Sequence, residues 1–118
     1  MIEIKSRKAD SVAILDLDGA LDLDGSQLLK ESIQQERKKG SMKILLNFTG
    51  VTSVMSAHLQ NLLTPIRALT MIKGTVGLCG MTPSVQKTMR TAMFYKIVKV
   101  YETEAEALSE LKLLERNL

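Results

Sequence analysis

A chain of 118 residues with a formal charge of +3 has the length of one domain, 1–118, and can bury roughly two-thirds of the surface its unfolded form exposes. Hydrophobic residues make up 45%, yet no apolar run nears the roughly 20 residues of a membrane span and the N-terminus lacks the order of a signal peptide, so a cytoplasmic protein with no membrane partner is expected. A lone Cys79 excludes an internal disulfide, and the absence of Trp, with cations interleaved among acids, argues against nucleic acid.

Ile2 to Ser6 alternates apolar and polar residues as an edge strand does, and Lys8 to Ser11 makes the turn to a more apolar inner strand, Val12 to Leu17. Asp18 to Gly25 has the glycines and short acids of a loop. Leu28, Leu29 and Ile33 then mark one face of a helix that runs to Lys39, with Asp24 or Ser26 as its cap and Gly40 as its end. The apolar run Ile44 to Phe48, within Lys43 to Phe48, reads as a buried strand, and Thr49 to Met55 as its connection to a helix from about Ala57 to Met71, closed by Gly74.

Thr75 to Cys79 is a further short strand, after which Thr82 and Pro83 supply a cap and a first helical residue ahead of Val85, Met89, Ala92 and Met93. Lys96 to Tyr101 is the last strand. Thr103 or Glu102 opens a final helix, Glu104 to Leu114, with Ala107, Leu108, Leu111 and Leu114 on one face. The order β-β-α-β-α-β-α-β-α implies an α/β fold: a mixed, mostly parallel sheet of about five strands with about four helices, the opening strand antiparallel at its edge. Parallel strands place the loops that follow them at one end of the sheet, so the Asp18–Gly25 loop and the Met55-Ser56 turn should share the end where such sheets bind ligands.

Ser56 is the residue this arrangement singles out. A serine between strand and helix can cap the first turn, or carry a phosphate that meets the positive end of the helix dipole. A hydrolytic role fits poorly. A nucleophile elbow needs glycines two residues either side of the serine, whereas Val54 and His58 stand there, and His58 is too close in sequence to meet Ser56 as its base. One histidine and one cysteine, 21 positions apart, offer no metal spacing, and no glycine motif cradles a phosphate, so no metal and no cofactor are expected. His58 reads most often as a solvated surface residue and less often as a contact to a partner. Met71, Met81, Met89 and Met93 read as core filler, while Met55, on the turn itself, reads as an exposed apolar side chain available to a partner.

Ile14-Leu-Asp-Leu-Asp-Gly-Ala-Leu-Asp22, the strand, turn and helix of Ile44 to Leu63, Thr82-Pro-Ser-Val-Gln-Lys87 and Val100 to Leu108 together resemble the STAS domains of bacterial anti-sigma factor antagonists. The resemblance covers nearly the whole chain. That family's functional turn reads Asp-Ser-Ser-Gly, with its first serine the phosphate acceptor; the corresponding residues here are Met55, Ser56, Ala57 and His58, and only the acceptor serine is retained. The resemblance implies a non-enzymatic regulator, monomeric or weakly dimeric. It would capture an anti-sigma factor that is also a serine kinase, through Asp22, Asp24, Met55, Ser56, Ala57, His58 and Asn61, and a serine phosphatase would reverse its phosphorylation at Ser56. An alternative within the same family is a scaffold module of a larger assembly that is never phosphorylated.

Overall fold

In the computed structural model, which describes residues 2–91 and 94–116, five strands form one sheet in the order β1-β2-β3-β4-β5. The elements are β1 (Glu3–Ala9), β2 (Val12–Leu21), α1 (Leu23–Lys38), β3 (Lys43–Val54), a 3-10 turn at Ser56–His58, α2 (Gln60–Met71), β4 (Thr75–Cys79), α3 (Pro83–Thr91), a second 3-10 turn at Phe94–Lys96, β5 (Lys99–Tyr101) and α4 (Glu104–Arg116). β1 pairs antiparallel with β2, and the other pairings are parallel. The mixed, mostly parallel sheet with four helices is the one the hydrophobic pattern implies.

Strand order that follows sequence order has a packing consequence. Each right-handed crossover steps the same way across the sheet, so α1, α2 and α3 all land on one face. There Leu29 and Ile33 of α1, Leu62, Ile66 and Leu69 of α2, and Val85 and Met89 of α3 close over Ala13, Leu15 and Leu17 of β2 and Ile44, Leu46 and Phe48 of β3. Among the described residues the opposite face has only α4, whose Ala107 and Leu111 cover Val12, Ile14, Leu45 and Cys79. One helix of 13 residues spans about 20 Å, too little for the whole sheet. Where α4 stops covering, β2 and β3 turn polar: Asp16 and Asn47 continue the same face, bonded to each other at 2.8 Å.

Several boundaries differ from the sequence reading. β2 runs on to Leu21 and β3 to Val54, through residues expected to be loop, because β3 carries extra residues opposite β2: Asp16 pairs Asn47 but Asp18 pairs Gly50, and Gly19 pairs Val51 but Ala20 pairs Ser53. Such bulges let Gly- and Thr-rich sequence stay in a ladder while twisting it. β5 begins at Lys99, since Phe94–Lys96 is a 3-10 turn. Gly74 does not supply the left-handed residue that ends α2; Lys73 does, at φ 67°, and Gly74 instead makes room for Leu69, whose Cγ would stand 2.5 Å from an added Cβ. Gly40, at φ +95°, follows α1 as expected. Leu28 and Met71 are exposed, the latter by 84%, so neither is core, while Met81 and Met89 are buried. Ala92, Met93 and the Leu114 side chain lie outside the described residues. No helix among the described residues is long and apolar enough to cross a membrane.

Candidate functional site

β2 and β3 end together. Leu21 pairs Val54, and the Met55 N–H donates to the Leu21 carbonyl at 3.1 Å, so the chain leaves the two strands side by side at Asp22 and Met55. The shared sheet end inferred from topology is therefore present. From it start two helices of different construction.

α1 is sealed. Asp22 is its N-cap, in extended backbone, and its Oδ1 accepts from Gly25 N–H at 2.7 Å; the expected caps, Asp24 and Ser26, do other things. Only glycine fits at 25, because a Cβ there would stand 2.7 Å from the Ala20 carbonyl. Asp24 is exposed in the first turn, where a carboxylate is favoured by the helix dipole. Ser26 is fully buried, its hydroxyl donating to Leu23 O at 2.9 Å and accepting from Asn61 Nδ2 at 3.3 Å. Asn61 thus ties α2 to the first turn of α1, a role that sequence reasoning missed because no local pattern links positions 35 apart.

The route into α2 is open. Met55 occupies the N-cap position of the 3-10 turn without a side-chain cap bond, and is 51% exposed. Ser56 is the first residue of that turn and is exposed; among the described residues its hydroxyl has no hydrogen-bond partner, so it does not cap. The turn is closed by backbone alone, His58 N–H to Met55 O at 3.0 Å and Leu59 N–H to Ser56 O at 3.2 Å. α2 starts only at Gln60, so the dipole expected directly at Ser56 begins four residues later. Ala57 is exposed and His58 half-buried. Leu59, 1% exposed, plugs the turn into the core. Asp22, Met55, Ser56, Ala57 and Asn61 therefore belong to one end of the fold, with Asp24 on its rim.

A second polar region lies on the sheet face that α4 leaves bare. Arg7 binds Asp16 through two nitrogens, at 2.6 and 3.1 Å, and also grips Glu104. Those bonds hold Asp16 below the usual carboxylate range and Arg7 above the usual guanidinium value. Thr49 N–H and Oγ1 both donate to Asn47 Oδ1. Burial pushes the Cys79 thiol up to about 11, which fits an inert core thiol. Beside this network is a cleft of about 230 Å³ lined by Glu3, Lys5, Asp16, Asp18, Asn47 and Gly50. No group of three or more acids, cysteines or histidines among the described residues is arranged to hold a metal ion.

Comparison with known proteins agrees with this architecture. A model described as the STAS domain matches residues 3–107. A Thermotoga neapolitana protein, named provisionally as an anti-sigma factor antagonist, is 28% identical over 104 residues, 87% of this chain and 92% of that protein. The crystal structure of a Thermotoga maritima protein with the same provisional name superposes with a TM-score of 0.83 at 25% identity, covering 92% of this chain and 94% of that one. The Bacillus cell fate determinant SpoIIAA in its phosphorylated form shares the fold, with a TM-score of 0.69 at 19% identity over 92% of this chain and 99% of that one.

Proposed function

The chain belongs to the STAS domain family, and from that premise we propose that it is a cytoplasmic anti-sigma factor antagonist whose Ser56 turn captures an anti-sigma factor serine kinase. The observation that carries this reading is the exposed Ser56, its hydroxyl without a hydrogen-bond partner among the described residues, on a turn that follows β3 where β2 also ends and is anchored in the core by Leu59. A kinase needs an acceptor hydroxyl it can reach, on a segment rigid enough to present it. A phosphate there would add about −1.5 to −2 charges. It would leave the core untouched, because no buried group among the described residues is bonded to the Ser56 side chain, and would act at the surface by repelling or desolvating the bound partner. Met55 gives that partner an apolar contact, and a phosphatase would restore capture.

The same geometry argues against hydrolysis, since no base is hydrogen-bonded to Ser56 among the described residues. Incubation with candidate anti-sigma kinases and ATP, followed by mass spectrometry, tests the proposal. Phosphate located on Ser56, with loss of the complex on modification, is expected. Neither complex nor phosphoserine across the candidates would leave the scaffold reading in its place.

A further inference from the structure

Charge and exposed apolar surface are divided between the two ends of the strands. At the end where β3 and β4 begin, Lys38 and Lys39 close α1, Met71, Ile72 and Lys73 close α2, and Lys96 precedes β5, all of them exposed. Met42, also exposed, adjoins them through its carbonyl, which accepts from Thr75 N–H at 2.8 Å. A groove of about 340 Å³ lies here, lined by Thr70, Gly74, Thr75, Lys96 and Lys99. Among the described residues, two acids of this end are engaged: Glu36 is buried against Lys39 and Ser41, and Asp10 is paired with Lys112.

The far end has the opposite sign. Glu3 and Asp18 face each other across the β1–β2 pair, like charges that repel unless a cation comes between them, and Lys5 opposite Asp16 offsets only part of that charge. Asp24 is exposed in the first turn of α1, and Leu23 and Met55, each about half exposed, add apolar surface where β2 and β3 end. Gly50, which pairs Asp18, lies seven residues along β3 from Lys43, roughly 23 Å at about 3.3 Å each. That is well beyond the Debye length of about 8 Å, so within one molecule the two ends do not neutralise each other.

We propose that the basic end of one chain docks on the acidic end of a second copy, Lys73 and Lys96 meeting Glu3, Asp18 and Asp24 while Met71, Ile72 and Met42 cover Leu23 and Met55. Each end carries what the other lacks, in charge and in uncovered apolar surface. The contact is head to tail. It uses different surfaces on the two copies, so it does not close on a pair, and open chains lengthen with concentration. A docked copy covers the Ser56 turn, so self-association and capture of an anti-sigma factor compete, and a phosphate on Ser56 strengthens the acidic end.

Sedimentation velocity on the wild-type chain, over a concentration series at low salt, is expected to show species growing past the dimer and reverting to monomer in 0.5 M salt. The double variant Asp18→Lys with Asp24→Lys, and the double variant Lys73→Glu with Lys96→Glu, should each be at least about tenfold weaker in self-association, and their equimolar mixture should regain it. Circular dichroism checks that both fold; should either not, the salt and concentration dependence of the wild type decides alone. A monomer under every condition, or a dimer that never grows, overturns the proposal. So does co-sedimentation of a strictly monomeric chain with phosphatidylglycerol vesicles, which would assign the basic end to lipid. No anti-sigma factor or ATP enters the assay, so its failure leaves the Ser56 reading standing.

Discussion

The first turn of α1 and the approach to α2 leave adjacent parallel strands a few ångströms apart, yet they are built in opposite ways. At α1 the free N–H groups are served by Asp22, the hydroxyl of Ser26 is buried with two partners, and a glycine is required for the fit. On the way to α2, backbone bonds close a 3-10 turn, and Ser56 is exposed, its hydroxyl without a hydrogen-bond partner among the described residues. A serine can thus be structural or available according to whether its neighbours satisfy it, and here one sheet end holds both kinds.

Substitutions that break each construction should rank by what they remove. Leu59→Ala takes the apolar plug from beneath the open turn and should cost about 3 kcal/mol of stability in urea unfolding, since a cavity is left in a packed core. Gly25→Ala forces a Cβ against the Ala20 carbonyl and should cost about 2 kcal/mol by the same measurement. Asp22→Ala deletes one cap and should cost about 1 kcal/mol. Ser56→Ala removes an exposed hydroxyl that has no partner among the described residues and should change stability by less than about 0.5 kcal/mol. A large loss from Ser56→Ala would erase the distinction between the two ends.

Two titrations sharpen the contrast between the covered and the bare sheet face. Asp16 has a folded-state pKa below its unfolded value, so in the interval between them the unfolded chain binds the extra proton. Its contribution is therefore present above about pH 4 and is lost as pH falls through the lowered folded value. Because Arg7 is 45% exposed, that loss should stay under about 1 kcal/mol, seen as a small fall in acid stability that Asp16→Asn abolishes. The Cys79 thiol, raised by burial, contributes stability that is present below the unfolded pKa of 9.0 and is lost as pH rises toward about 11. At pH 8 it should label with maleimide only as fast as the chain unfolds.

Much of the fold was legible because its elements are strongly periodic. Thr75 to Cys79 matches β4 residue for residue, Thr82 and Thr103 do cap, their hydroxyls accepting from Val85 N–H and Glu106 N–H, and Leu29, Ile33, Ala107 and Leu111 are buried as their spacing implies. The tips of β2 and β3 were not legible. Asp18, Gly19, Gly50 and Ser53 carry loop propensities, and the pairing of one strand on the other, with bulges to absorb the mismatch, keeps them extended. At the candidate site the local duties of the residues were not legible: Asp22 caps where Asp24 or Ser26 was expected, Ser56 does not cap, and the Asn61 to Ser26 bond is a tertiary contact that no periodicity encodes.

The Ser56 hydroxyl decides whether this turn is a switch, and calorimetric titration of an anti-sigma factor kinase with Ser56→Asp and Ser56→Ala tests that most directly. Ser56→Ala should bind near the wild-type affinity, and Ser56→Asp should bind at least about tenfold more weakly, roughly 1.4 kcal/mol. Equal affinities for the two variants, with both folded, would contradict it.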